Sequence, residues 1–474
     1  MKPVAVIGAG ITGLTAAFCL RRKGAPVTVF EAGGRAGGVI QSARRDGFLA
    51  ESGPNTLLET APEIARLVRD LNLEGRRLYT NPDAEARFVV HGGKPLAMPA
   101  SPPGIFFSKL LSARGKFALL REPFVRPRRD GQEESVAEFV SRRLSREFLE
   151  RLVDALVAGI YAGDPNKLSV QYALPKLAQL ETKYGSLIKG QIKGARERKK
   201  NGQVAKDRAP KFSFDEGLQV LPDTLAAQLG EALKLNAPVS RLSQTSSGWR
   251  VETGMPQVAP LDAARTAQRG VPTNVPEETE YGAVIYCGTA YRLAELQITA
   301  QKPVDVSPFS EIRYAPVASV VLGFRREDVA HGCQGFGMLI PKIEGFKILG
   351  TIFSSALFPN RAPAGHVLLS SYVGGERYPD LAALPPEELV RLTRADLATL
   401  LGVKGAPVFQ HTALYPRAIP QYNLGYGKYK NLMNEIESTA RGLFFAGHFR
   451  DGVSLGDSIV SGCNAAARVE NFLL

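Results

Sequence analysis

Histidine, cysteine and tryptophan are nearly missing from this chain. Its 474 residues include five histidines, four cysteines and one tryptophan. Cys19, Cys287, Cys333 and Cys463 are widely separated, and no CxxC pair occurs. That spacing suits neither a disulfide framework nor a zinc site, and it points to a reducing compartment. The shortage of histidine weighs further against a metal enzyme, so no metal is expected. No apolar run approaches the ~18 residues that a membrane-crossing helix needs. The chain opens on a buried-strand pattern rather than on a basic stretch before an apolar one, so no secretory signal is read. The expectation is a protein that is soluble or rests on a surface. No nucleophile with its base and no pair of carboxylates stands out either.

In bulk the chain is ordinary. Hydrophobic residues make up 44% and charged residues 22%, as in globular proteins. Its length suggests two or three domains. Lys and Arg total 59 against 46 Asp and Glu, a net charge of +13. That balance favours an acidic partner: an anionic small molecule, an anionic membrane surface or nucleic acid.

The first sixty residues are more specific. KPVAVIGAGITGLTAAFCLRRKGAPVTVFEAGG reads as strand, glycine turn, helix, strand. Gly8, Gly10 and Gly13 complete GxGxxG. Gly8 permits the tight turn, Gly10 lets a pyrophosphate reach the backbone, and Gly13 lets helix pack on strand. The helix N-terminus adds N–H donors and positive potential. Glu31 follows Gly13 by 18 residues, where a carboxylate accepts from ribose hydroxyls. The same charge would repel a 2′-phosphate, which argues against an NADP-type ligand. A second glycine cluster follows in EAGGRAGG, residues 31–38. Gly33 and Gly34 would bring amides near the ligand, and Arg35 would offset phosphate charge. Gly37 and Gly38 would let the chain pass a flat ring system. NAD does not require this cluster, whereas a dinucleotide that continues into an isoalloxazine would use it, so FAD is expected.

Further along, residues 57–73 show helical spacing, and ARFVVHGGKPLAMP (86–99) reads as a hairpin. Residues 102–160 look mainly helical. Residues 189–211 carry nine Lys and Arg with little apolar content, and a mobile loop is expected. A solvated linker and an anionic-membrane contact both fit it; no RNA- or DNA-binding motif accompanies the charge, so no nucleic acid is expected. FDEGLQVLPDTLAAQLGEAL (214–233) suggests a turn into a helix, with short strands after it that begin near Val239. Residues 255–280, polar and proline-bearing, read as an insertion or a hairpin loop. Runs at 317–324 and 336–373 suggest a second sheet, and 385–402 a helix. At the C-terminus, LFFAGHFRDGVSLGDSIVSGCNAAARVENFL predicts strand, turn and helix. It places Asp451, Val453 and Ser454 just before a helix N-terminus, whose dipole would stabilise the charge of a reduced flavin.

GAGITGL, FEAGGRAGG, ESGPNT and the terminal AGHFRDGVSLGDSIVSG resemble the flavin-containing amine oxidase superfamily. Within it, DALVAGIYAGDPNKLS, LGTIFSSALFPNRAP and SYVGGERYPDL are most similar to the protoporphyrinogen IX oxidase family, in its plant mitochondrial and Gram-negative form. The resemblance covers nearly the whole chain. It implies an α/β fold: a Rossmann-type FAD-binding domain, a mixed-sheet substrate domain and a helical membrane-binding insertion. The domains would comprise residues 1–85, 212–300 and 438–474 for FAD, 86–99 and 301–437 for substrate, and 100–211 for the helical part.

Carried over residue by residue, the resemblance implies a non-covalent FAD. It would be held by Gly8, Gly10, Ile11, Thr12, Gly13, Glu31, Ala32, Gly34, Arg35, Gly37, Gly38, Gly53, Pro54, Asn55, Val239, Asp451, Val453 and Ser454. Arg87 would pair with a substrate propionate, Leu339 and Ile352 would sandwich one pyrrole ring, and Tyr372 would stack on another. Ile352 and Tyr372 stand where the family has Leu and commonly Phe. Gly159 would line the cavity, and Asn55 is the candidate catalytic residue, although an amide is a poor base. The implied reaction oxidises protoporphyrinogen IX to protoporphyrin IX in three flavin turnovers, with dioxygen or a quinone-linked chain as acceptor. Implied partners are the porphyrinogen, a peripheral membrane surface, a ferrochelatase receiving the product, and a second copy in a homodimer. The implied location is cytoplasmic, at the inner face of the cell membrane. Coproporphyrinogen III oxidation, a carotenoid desaturase or amine oxidase activity, and a non-catalytic FAD carrier stay open as alternatives.

Overall fold

The computed structural model describes residues 2–99, 104, 107–128, 130–200, 209–254 and 279–474. The reading of 255–280 as an insertion therefore lies outside the described residues, apart from its last two.

A five-stranded parallel sheet carries the cofactor half. Its strands stand in the order Leu233–Lys234, Val27–Phe30, Val4–Ile7, Ala283–Tyr286, Leu443–Phe445. Val4–Ile7 and Ala283–Tyr286 are buried at every position, as strands covered on both faces must be. The helix Ile11–Arg22 leaves the first strand with Gly10 as N-cap and ends on Arg21 and Arg22, where cations suit the dipole. The C-terminal helix Leu455–Leu473 packs beside it. At Gly462 a side chain would come within 2.5 Å of the Thr12 carbonyl oxygen, so the two backbones nearly touch.

A seven-stranded mixed sheet carries the other half. Its order is Phe409–Pro420, Tyr314–Arg325, His366–Gly374, Ile348–Phe353, Gly337–Leu339, Arg87–His91, Lys94–Ala97. Neighbours are antiparallel except Gly337–Leu339 and Arg87–His91, which run parallel. The hairpin 86–99 turns at Gly92 and Gly93, with φ of +60° and +71°. Two left-handed residues make the tight turn that matches strand twist.

The remaining stretch is helical, including Ala113–Arg121, Val136–Arg143, Asp154–Tyr161, Pro175–Tyr184 and Leu187–Lys200. The last of these corrects the mobile loop expected over 189–211. Its start is capped by a buried carboxylate from far away in sequence. Glu122 accepts from the backbone N–H of Leu187 at 2.7 Å and of Ile188 at 3.1 Å, and from the Ser186 hydroxyl at 2.6 Å. Arg143, itself buried, pairs with the same carboxylate. A helix start fully satisfied in this way forms even with a highly charged sequence. Residues 201–208 of that segment lie outside the described residues. Among the described residues, no helix is long and apolar enough to cross a membrane, and no cluster of three His, Cys, Asp or Glu is set to hold a metal.

Candidate active site

The glycine turn after the first strand is shaped by close contacts. Gly8 has φ of +99°, and a Cβ on Gly13 would stand 1.9 Å from the Gly8 carbonyl oxygen, inside any tolerable contact. A Cβ on Gly10 would meet nothing within 4 Å; it would point into the cavity that Gly10 lines. The first turn of the following helix has no side-chain cap and no acidic residue, so its N–H groups are left for an external anion.

Glu31 ends the second strand. Its carboxylate accepts from the backbone N–H of Ala9 and of Gly33, both at 2.8 Å. These bonds fix the carboxylate while its remaining lone pairs stay available to hydroxyls. The second glycine loop is tied to the first, with Gly37 N–H donating to the Ala9 carbonyl at 2.8 Å. Gly37 and Gly38 have φ of +101° and +58°. Arg35 donates to the carbonyls of Ala36, Gly38 and Ile40 and braces its own loop. These features fit FAD: an uncapped helix start for the pyrophosphate, an oriented carboxylate for the ribose, and open glycines on the path between them.

One cavity of about 3040 Å³ continues from this cradle to the mixed sheet. Typical small-molecule sites occupy ~300–1,000 Å³, so the space suits a dinucleotide together with a second large ligand. Gly8, Gly10, Ile11, Thr12, Glu31, Ala32, Gly37, Gly38, Gly53, Pro54, Val239, Asp451, Val453 and Ser454 line it. Arg87, Gly159, Leu339, Ile352 and Tyr372 line it too. Gly13, Gly34, Arg35 and Asn55 stand off its wall: Gly13 lies at the helix–strand contact, Gly34 faces the Asn236 side chain, and Arg35 and Asn55 are engaged by protein partners. Ser454 uses its hydroxyl to cap the C-terminal helix, accepting from Asp457 N–H at 3.1 Å, so a ligand there would meet backbone.

Strand register explains how the substrate-side residues meet. Arg87 pairs with Gly337, Gly337 with Ile352, Leu339 with Gly350, and Gly350 with Tyr372. With side chains alternating along a strand, these positions share one face of the sheet. Gly337 and Gly350 leave it low between the larger side chains. Gly159 approaches from the helix Asp154–Tyr161; a Cβ there would lie 2.6 Å from a Leu339 methyl. Arg87 is exposed and its guanidinium lies 5.7 Å from the Phe336 ring centre. Among the described residues no carboxylate pairs with it.

Tyr372 binds the sheet to the cofactor side. Its hydroxyl accepts from Asn55 Nδ2 at 2.6 Å and donates to the Gly53 carbonyl at 3.3 Å. Burial raises its pKa, so the hydroxyl stays protonated. Asn55 accepts from Ser354 at 3.3 Å through its other end and is 6% exposed. It is therefore a buried strut rather than a group facing the cavity.

Sequence reasoning missed several wall residues. Leu156 and Ile160, one helical turn apart, present apolar side chains, as does Val39. Their spacing beside Gly159 was a usable signal. Arg417 stacks 4.7 Å over the Tyr291 ring. His448 is held neutral, its pKa pushed down to about 4 by burial. Nothing local in sequence marks the last two.

A family model of flavin-containing amine oxidoreductases matches residues 11–470. The chain belongs to that family. It is a FAD-dependent oxidoreductase, consistent with the cradle above. The chain is 35% identical to protoporphyrinogen oxidase 2, chloroplastic/mitochondrial, of Arabidopsis thaliana, over 100% of this chain and 94% of that one. It is 28% identical to coproporphyrinogen III oxidase of Bacillus subtilis (strain 168), over 100% and 98%. A solved structure from Exiguobacterium sp. 255-15 shares the fold, with a TM-score of 0.78 at 22% identity over 99% of each chain.

Proposed function

We propose that this flavoenzyme oxidises protoporphyrinogen IX to protoporphyrin IX. The observation that carries this reading is Arg87, a guanidinium without a carboxylate partner among the described residues. It shares a sheet face with Leu339, Ile352 and Tyr372 inside the cavity that begins at the flavin cradle. A porphyrinogen is a flat, greasy macrocycle with propionates at one edge. Arg87 would hold a propionate by charge-assisted hydrogen bonds, and the apolar side chains would wall the rings. The Arabidopsis relative's name supports the same substrate.

Bound FAD would supply the hydride acceptor. The chain's part is to bind, to orient and to exclude water. The cradle fixes one ligand and Arg87 the other. Tyr372, protonated and bonded to both Asn55 and Gly53, sets the distance between the two halves. Asn55, engaged at both ends of its amide, positions this turn and does not take a proton.

Coproporphyrinogen III is a second reading, favoured by Arg417. That cation also lines the cavity, from the far edge strand, and would meet an additional propionate.

Peripheral attachment to an anionic membrane, at the inner face of the cell membrane, belongs to the proposal. Phe107, Phe117 and Phe124 are 88%, 61% and 84% exposed in the helical part, amid Arg114, Lys116, Arg121 and Arg126. Aromatic side chains among cations suit such a surface. The homodimer and the handover to a ferrochelatase rest on resemblance alone, as do the domain limits.

Steady-state kinetics of Arg87→Ala test the substrate assignment. A hydrogen bond to a charged group contributes about 1.5–3 kcal/mol, so KM for protoporphyrinogen IX should rise about 10- to 150-fold with flavin content unchanged. An unchanged KM would remove Arg87 from the site.

A further inference from the structure

Two cysteines that the proposed reaction does not use lie side by side. Cys19, on the helix Ile11–Arg22, and Cys463, on the C-terminal helix, place their Sγ atoms 3.7 Å apart. Both are free thiols and only half-buried. They are 444 residues apart in sequence, and only the fold joins them.

The two helices run in the same direction and meet along their length. Gly462 meets Thr12 and Thr15, Cys463 meets Cys19, and Glu470 pairs with Lys23. A Cβ on Gly462 would stand 3.1 Å from the Thr15 Cβ. That closeness is of the helix pair one residue before Cys463; for the cysteines themselves the Sγ–Sγ distance of 3.7 Å is the observation that puts a disulfide within reach. The surroundings also suit a reactive thiol. The contact with Cys463 holds the Cys19 pKa down, assisted by Lys23, Arg22 and Arg66; Cys463 is correspondingly raised, with Glu63 adding to the rise. The other two cysteines contrast with this pair. Cys287 and Cys333 are buried, and burial lifts both thiols, Cys333 to about 11.

We propose that Cys19 and Cys463 form an oxidative modification site, converted by a hydroperoxide to a reversible disulfide between the first and last helices. The Cys19 thiolate attacks the peroxide; an S–O bond forms, the O–O bond breaks, and an alcohol or water leaves. Cys463 then attacks the sulfenic sulfur, the S–S bond forms, and the oxygen leaves as water with the thiol proton. Two thiols lose two electrons in total and the peroxide gains them. An oxidase using dioxygen releases such a peroxide itself, although the site does not depend on that source. The crosslink would fasten together two helices whose N-termini, at Ile11 and Leu455, both border the cofactor cavity.

The test is to titrate the reduced holoprotein with hydrogen peroxide, count thiols in denaturant and map peptides without reduction. The expected result is a fall from four thiols to two, a Cys19–Cys463 peptide, and full recovery with dithiothreitol. In Cys463→Ala, a sulfenic acid trapped at Cys19 by dimedone should replace the crosslink. Persistence of four thiols, oxidation of Cys19 to sulfinic acid without a crosslink in the wild type, or a disulfide between molecules would each overturn the proposal.

Discussion

The cofactor cradle and the substrate face are built in opposite ways. The cradle is local: the glycine turn, its helix and Glu31 come from one stretch of about thirty residues, and the second glycine loop follows at once. Its shape follows from backbone contacts that tolerate no side chain. The substrate face is distributed. Arg87, Leu339, Ile352 and Tyr372 come from four strands, and only the register of the sheet brings them to one side. Local sites depend on individual atoms, whereas distributed sites depend on the sheet that aligns them. Damage should therefore be abrupt in the first and graded in the second.

Four variants probe that contrast, in order of expected effect. Glu122→Ala takes from buried Arg143 one of its two carboxylate partners, leaving only Glu181 at 3.2 Å, and uncaps the helix Leu187–Lys200. Breaking a buried pair costs about 3–5 kcal/mol, so denaturant unfolding should shift by that amount. A shift confined to the helical part, with flavin retained, would show that the cradle stands apart from it. Gly13→Val forces atoms onto the Gly8 carbonyl, already 1.9 Å from a Cβ. Overpacking of this kind costs about 3 kcal/mol or more, and the purified protein should lack flavin absorbance. Flavin at wild-type occupancy would mean that the turn yields and is not the rigid device described here. Arg87→Ala follows, with the graded rise in KM given above. The smallest effect is expected for Tyr372→Phe. It removes two hydrogen bonds and leaves the Asn55 amide short of a partner, at a cost of about 1–3 kcal/mol. Turnover should slow at saturating substrate and the flavin spectrum should shift slightly, while KM changes little. A change in KM alone would make Tyr372 a substrate contact rather than a spacer.

The same contrast sets what the sequence could reveal. The first two strands of the parallel sheet, their glycine turn, the hairpin at Gly92–Gly93 and the C-terminal strand and helix are visible because each signal lies within one stretch. The helix Leu187–Lys200 was read as a loop because its cap, Glu122, acts on Ser186 from 64 residues away. The strut between Asn55 and Tyr372 spans 317 residues and could not be seen at all. Arg35 shows the same limit on a smaller scale. Its position among glycines suggested a phosphate contact, yet three neighbouring carbonyls claim its donors. Propensity and spacing identify what a segment can do; which hydrogen-bond partner wins is decided by the packed chain.

Central to this account is the use of one cavity by flavin and porphyrinogen together. The most direct measurement is the visible spectrum of the purified protein, mixed without oxygen first with protoporphyrinogen IX and then, in a separate sample, with coproporphyrinogen III. Bleaching of the oxidised flavin band by the first, with little change from the second, is the predicted result. A flavin band that neither porphyrinogen alters would contradict the account, and preferential bleaching by coproporphyrinogen III would contradict the substrate it assigns.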